Sequence, residues 1–373
     1  MTSLTFDCII VGSGIVGAAC AARAARGGMQ VAIVDRQGAG LGATAAGMGH
    51  IVVMDDSPAQ LQLTRYSQKL WLELAKVLPP VAEFQQCGTL WVATDDEEMD
   101  EVMRKHTLYA GHGVSTEILG SDGLAALEPE LRPNLAGALF VNTDAVLYAP
   151  VVAQTLMEDA VAHGAQVIDG EVKMMGHGAA VLRDGRSVKA PRLVNAAGEW
   201  SAELTPGIPV KRRKGHLAIT DRYPGFLHHQ IVELGYLKSA HSLAQDSVAF
   251  NVQPRVTGQV LIGSSRQFEA PPGVEQPMLS RMLARAVEYM PGLGECSVLR
   301  TWTGFRAATP DKLPLIGPWP EDETVFLATG HEGLGITTSL ATAELLWSCF
   351  DGGAPAIPLE PYLPSRVARS VHV

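Results

Sequence analysis

The chain opens on an apolar run, "DCIIVG" (7–12), without polar alternation, the pattern of a central parallel strand buried on both faces. Gly12, Gly14 and Gly17 follow, and then Ala18, Ala21, Ala22 and Ala25 recur at helical spacing, small enough to let a helix sit close on a sheet. "GGMQVAIVD" adds a turn and a second apolar strand ending in Asp35, eighteen residues after the last glycine. That is near the spacing of about 20 at which an acid bonds a ribose hydroxyl. Strand, glycine turn, helix, strand and acid make a dinucleotide-binding βαβ unit, which suits nicotinamide and flavin cofactors alike.

Beyond Asp35 the periodicity stops. "RQGAGLGATAAGMGH" (36–50) is a long loop of glycine, alanine and threonine, a composition suited to close backbone approach to a ligand. A nicotinamide domain would usually continue here with another strand and helix. Helical spacing returns in "AQLQLTRYSQKLWLELAKVL", and "CGTLWVATDDEEMDEVMRKHTLYAGHG" predicts a strand, an acidic cap and a helix. Between 138 and 201 the pattern predicts a helix, a strand "AQVIDGEV", a hairpin around "RDGR" and an apolar strand "RLVNAAG". From about Lys214 to Leu299, strand-like patches such as "SVAFNVQP" and "QVLIGSS" alternate with turn residues, predicting a largely antiparallel sheet. The last quarter, "TVFLATGHEGLGITTSLATAELLWSCF", repeats the opening device: a strand ending at Gly330, a glycine turn, and a helix beginning near Leu334. There is no internal repeat and no low-complexity tract.

Composition narrows the class. At 373 residues the chain is long enough for two domains, and although 47% of it is apolar, no run approaches the roughly 18 residues of a membrane span. The first strand starts within about six residues, which leaves no room for a secretory leader and sets the expectation of a cytoplasmic protein. A net charge of −10 without a long basic run argues against nucleic acid as a partner. The one basic cluster, "VKRRKGH" (210–216), is expected to be a solvated loop leading into the strand "HLAIT". Five scattered cysteines without a CxxC pair are expected to be reduced core residues, and no metal site is expected.

A flavin dinucleotide makes two anionic demands, at its pyrophosphate and at the N1 and O2 end of the reduced ring. Two helix N-termini would meet both. A nicotinamide cofactor makes only the first demand, so the pattern leans to flavin without excluding a nicotinamide enzyme.

The ordered blocks "VGSGIVGAA", "GATAAGMGH", "RLVNAAGEWS", "GFRAATPDKLPLIG" and "ATGHEGLGIT" resemble the FAD-dependent family that contains D-amino-acid oxidase, glycine oxidase and sarcosine oxidase. The resemblance spans essentially the whole chain. It is nearest the glycine oxidase and D-hydroxyproline dehydrogenase branch, which includes oxidases of N-carboxymethyl amino acids. It implies an α/β plus α+β fold: a Rossmann-type FAD-binding domain (1–76, 147–213 and 300–373) with a second, substrate domain on a mostly antiparallel sheet (77–146 and 214–299).

Carried over by motif, Gly12, Ser13, Gly14, Ile15 and Gly17 would serve the pyrophosphate and Asp35 the adenosine ribose, where the family more often has glutamate. Arg36 and Val172 would meet the adenine. Thr44, Ala45, Ala46, Gly47 and Met48 would pass the flavin ring, Ala197, Gly198 and Trp200 its ribityl side, and Gly333, Leu334, Gly335, Ile336 and Thr337 its pyrimidine end. Relatives that attach flavin covalently do so through a cysteine shortly after the arginine of "GFRAATPD"; Ala307, Ala308, Thr309 and Pro310 stand there, so noncovalent FAD is expected.

In that family's chemistry a hydride leaves the carbon beside a neutral amine for the cofactor, and the protein mainly positions the substrate. The chain shows no Ser/His/Asp pattern and no HExxH spacing. Arg306 resembles the arginine that clamps the substrate carboxylate, a match of guanidinium and carboxylate geometry. Arg266, at the end of "LIGSSRQFE", is either a second clamp for a dicarboxylate or an exposed strand-end cation. Met48 is expected to wall the pocket and His50 to form a structural hydrogen bond or a polar wall. Asn251 is a candidate lining residue, His331 is expected to matter through its backbone, and Trp302 and Phe305 are either core or pocket. The expected partners are a small amino-acid substrate and O2 or another acceptor, with a homo-oligomer or a flavoprotein partner subunit as further candidates. A flavin-holding assembly subunit and a tRNA-modifying flavoprotein are the rival classes, the second disfavoured by the weak basic character.

Overall fold

The computed structural model describes residues 6–235 and 246–368. Its first layer is a six-stranded sheet in the spatial order Leu315–Trp319, Asp322–Thr329, Leu193–Asn195, Cys8–Val11, Val31–Asp35 and Gln166–Asp169. All neighbours run parallel except the hairpin pair at the Leu315–Trp319 edge. Cys8–Val11 lies in the middle, and all four of its residues are buried, which is why its sequence carries no alternation. The helix Ile15–Arg26 packs between Ala149–Ala162 and Gly335–Asp351, its alanines buried against them. Gly17 lets the helix start close on the end of the first strand: a Cβ there would stand 1.9 Å from the Gly12 carbonyl oxygen.

The second layer is an eight-stranded sheet in the order Val298–Ala308, Lys211–Arg222, Gln259–Phe268, Ser247–Pro254, Gln230–Glu233, Thr89–Ala93, Gly137–Val141 and Glu117–Gly120. It is antiparallel apart from the pair Gln230–Glu233 and Thr89–Ala93. Thr89–Ala93 is buried on both faces. Leu90 and Val92 point to one core and Trp91 and Ala93 to the other, as a period of two requires. The helix Gln276–Tyr289 covers one face, with Tyr289 stacked on Phe250 at 4.5 Å. The expected borders at 213 and 299 fall inside the strands Lys211–Arg222 and Val298–Ala308.

Two expectations are corrected. "AQVIDGEV" is not one strand: the chain turns at Gly170 (φ +156°), so that Gln166–Asp169 joins the parallel sheet and Val172–Gly176 joins a separate three-stranded one. "VKRRKGH" is not a solvated loop. Lys211–Arg222 is a continuous strand, and Arg213, Lys214 and His216 are buried in it. Burial is tolerated because distant acids meet the charges: Arg213 Nη1 lies 2.5 Å from Glu332 and Lys214 Nζ 2.5 Å from Glu275. No described helix is long and apolar enough to cross a membrane.

Candidate functional site

The N-termini of Ile15–Arg26 and Gly335–Asp351 open on one cavity of about 340 Å3. Neither helix is capped by its own N-cap side chain, so both present backbone N–H groups and a positive helix end. Gly12, Gly14 and Ile15 line the cavity at the first helix, and Gly333, Gly335 and Ile336 at the second. Between them the loop after Asp35 contributes Thr44, Ala46, Gly47, Met48 and His50. This loop is fastened at several points. Ile15 N–H donates to Thr44 Oγ1 at 3.0 Å, Gly40 N–H to the Ser13 carbonyl at 2.9 Å, and Trp302 Nε1 to the Ala46 carbonyl at 3.3 Å.

At the far end of the cavity stand Asp35, Arg36, Val172, Ala197, Gly198 and Trp200. The Asp35 carboxylate is oriented by three backbone donors, Ser13 N–H at 2.7 Å on one oxygen and Gln37 and Gly38 N–H at 2.7 and 3.1 Å on the other. Two guanidinium groups lie over the Trp200 ring, Arg36 at 4.5 Å and Arg212 at 3.6 Å from its centre.

A dinucleotide fits these donors. Gly12 holds φ +104°, and a Cβ on Gly14 would come 3.2 Å from Thr44 Oγ1, so side chains there would narrow the mouth of the first helix. Among the described residues the buried Ser13 hydroxyl has no partner. Among the described residues no cysteine lines the cavity, and no cluster of His, Cys, Asp or Glu could hold a metal ion.

Six residues expected around the cofactor or substrate do not line this cavity. Gly17 packs on Gly12, Ser13 and Ala45 lie outside the lining, and Thr337 Oγ1 donates to the His50 carbonyl at 2.8 Å, tying helix to loop. Leu334, like Arg266, borders a second, smaller cavity of about 90 Å3 instead.

The two cavities share a wall of His50, Asn251, Arg306, Glu332 and Gly333. Arg306 is on the strand Val298–Ala308, directly opposite Arg213. Its side chain crosses the bare Gly215 of the neighbouring strand, where a Cβ would sit 2.6 Å from the guanidinium nitrogens, and Nη1 donates to the Ser265 carbonyl at 3.1 Å. Among the described residues Arg306 forms no ion pair, which leaves its remaining donors facing the cavities. Burial pushes Arg306 below its ordinary pKa, Glu332 opposes that, and Arg213 adds to it.

Burial likewise pushes the His50 imidazole down to about 4, with Arg306 adding and Gln253 opposing. Its Nδ1 accepts from Gln230 Nε2 at 3.3 Å. His331, pushed by burial to about 3, bonds Thr342 Oγ1 at 2.9 Å and anchors the second glycine turn. Met48 packs on Leu217 and Leu261, and its carbonyl accepts from Gln253 at 2.7 Å. Phe305 lines the large cavity, whereas Trp302 braces the loop.

Sequence reading passed over Arg213, Gly215, Gln230, Trp91 and Glu332. Glu332 was within reach, since it sits in the quoted "GHEGLG" turn at φ +54° with its carboxylate on Arg213. The others carry no local signal.

This geometry has known counterparts. The family model described as FAD dependent oxidoreductase (DAO) matches residues 7–348. Hydrogen cyanide synthase subunit HcnC of Pseudomonas aeruginosa is 28% identical over 426 aligned residues, covering 97% of this chain and 96% of that protein. Glycine oxidase of Geobacillus kaustophilus is 27% identical, covering 99% of both chains. The crystal structure of that glycine oxidase superposes with a TM-score of 0.87 at 26% identity, covering 98% of this chain and 99% of the other.

Proposed function

This chain belongs to the FAD dependent oxidoreductase (DAO) family, and from that premise we propose that it oxidises the C–N bond of a small amino acid or secondary amino acid. Glycine, sarcosine, D-proline, D-hydroxyproline and N-carboxymethyl amines such as iminodiacetate make up the class. The observation that carries the reading is the place of Arg306, whose guanidinium borders both the dinucleotide-sized cleft and the small cavity beside it.

The glycine turns at Gly12 to Gly17 and at Gly333 to Gly335, with Asp35 and Trp200, would hold FAD, noncovalently. When bound, it supplies the acceptor for the hydride that leaves the substrate α-carbon. Arg306 binds the substrate carboxylate through parallel hydrogen bonds and so fixes the α-carbon relative to the cleft. The reacting amine has to be neutral. Guanidinium groups close to it favour loss of its proton, and His50, held uncharged near neutral pH, offers it a polar wall without a competing charge. Met48 and Leu217 keep that end apolar. Water then hydrolyses the imine product to an oxo acid and an amine.

Electrons passing to O2 would yield peroxide. The similarity to a protein named as a synthase subunit supports a second reading, in which a partner chain accepts them instead. Anaerobic addition of the panel above to the yellow protein tests the first claim: at least one member should bleach the flavin. If none does, amino-acid oxidation is wrong. Oxygen uptake by the isolated chain separates oxidase from partner-dependent dehydrogenase.

A further inference from the structure

The small cavity carries more cationic than anionic side chains. Four cationic side chains, Arg213, Arg266, Arg306 and Lys312, line it among the described residues, against two carboxylates, Asp56 and Glu332, which lie 3.6 Å from Lys312 and 2.5 Å from Arg213. The arginines are brought together by the sheet. Arg306 stands opposite Arg213, and by crossing Gly215 it reaches the carbonyl of Ser265, the residue before Arg266. Arg266 itself is buried at the end of the same sheet layer, 8% exposed. Burial, then Arg306 and Arg213, push its guanidinium down to about 9, against Glu332 and Asp56. Crowding buried cations is costly, and a bound anion offsets that cost.

The other lining groups suit an amine between anions. Among the described residues Asn251 Oδ1 and Gln230 Oε1 are buried acceptors without a partner, and Trp91 Nε1 is a buried donor in the same state. The cavity measures about 90 Å3, a size that suits short arms.

We propose that the site selects a secondary amine carrying two carboxylates on short arms, one held by Arg306 and the second by Arg266. This deepens the amino-acid reading above and rests on it. Arg266 is then the residue that sets preference for a dianion over a monoanion, and Gly215 is the opening that lets the two guanidinium groups act on one ligand.

Iminodiacetate and sarcosine form the discriminating substrate pair, since they share the N-carboxymethyl group and differ by one carboxylate. The wild-type kcat/KM should favour iminodiacetate, and Arg266→Gln should lower that preference by at least about 30-fold. Arg266→Lys should recover part of it. Equal losses on both compounds, or a wild-type preference for sarcosine, would overturn the proposal. Binding supplies a readout that needs no turnover and no variant: oxydiacetate, which has no amine to oxidise, should perturb the flavin spectrum at lower concentration than methoxyacetate. Equal affinities count against a second anion site. If oxydiacetate binds tightly while no amine bleaches the flavin, the dianion receptor stands and amino-acid oxidation falls.

Discussion

The large cleft is walled by backbone, its glycines, helix ends and alanine-rich loop bringing main-chain atoms close to the ligand, whereas the small cavity beside it is walled by long charged and amide side chains. The first would hold an anion with N–H groups that carry no net charge. The second would do so with guanidinium groups whose burial is offset by Glu332, Asp56 and the ligand itself. Backbone construction tolerates almost no added atom, because the main chain cannot move aside. Side-chain construction tolerates shape change but is sensitive to the loss of one charge. The two cavities should therefore fail in different ways.

The largest effect should come from the wall they share. Arg306→Lys replaces a planar fork with a point charge and should cost about 2–5 kcal/mol of substrate binding, with the flavin retained. Unchanged catalytic efficiency would remove Arg306 from the site, and loss of flavin together with activity would show that the cavities are not separable.

Next is Gly215→Ala. Its Cβ would meet the Arg306 guanidinium at 2.6 Å, and a displacement of that group by about 1 Å can cost up to about 100-fold in turnover. Steady-state kinetics should show that loss on a normal flavin spectrum.

Gly17→Ala should do the reverse. Its methyl collides with the Gly12 carbonyl, so overpacking of about 1–3 kcal/mol falls on the backbone-built side. The measurement is flavin content after purification together with Tm. Full flavin content at an unchanged Tm would mean that the helix is free to shift.

An effect that is absent at neutral pH and grows only in acid concerns His331, in the turn that serves both cavities. Its pKa is lowered from 6.5 to about 3 by burial, so in the fold it stays neutral while the unfolded chain takes up a proton below about pH 6.5. Stability present at neutral pH should then drop by about 1.4 kcal/mol for each pH unit between those values. His331→Gln should flatten that part of the Tm profile; an unchanged slope assigns the acid sensitivity to other groups.

Residue by residue, the backbone-built cavity was legible. Gly12, Gly14, the Ala18 to Ala25 stripe, Asp35 and the turn before Gly335 all announce themselves within a few positions of one another, and the structure brings both helix ends to one place. The side-chain cavity was legible at Arg306, through the block around it, and in part at Arg266, His50 and Asn251, which also line it. "VKRRKGH" was misread because charge in a sequence points to solvent unless its partner is known, and Arg213 meets Glu332 across a separation of 119 residues. The break at Gly170 was missed because "AQVIDGEV" has the apolar content of one strand, and only the sheets that compete for its halves divide it.

By itself the sequence determined most of the strands and helices and the places where the main chain had to be bare, because strand and helix periods and the backbone freedom of glycine are local properties. Which charges are buried, which acids meet them, and how Arg306 comes to lie across Gly215 beside Arg266 were decided only in the folded sheet. The cost of burying a charge depends on every group around it, and those groups come from remote parts of the chain.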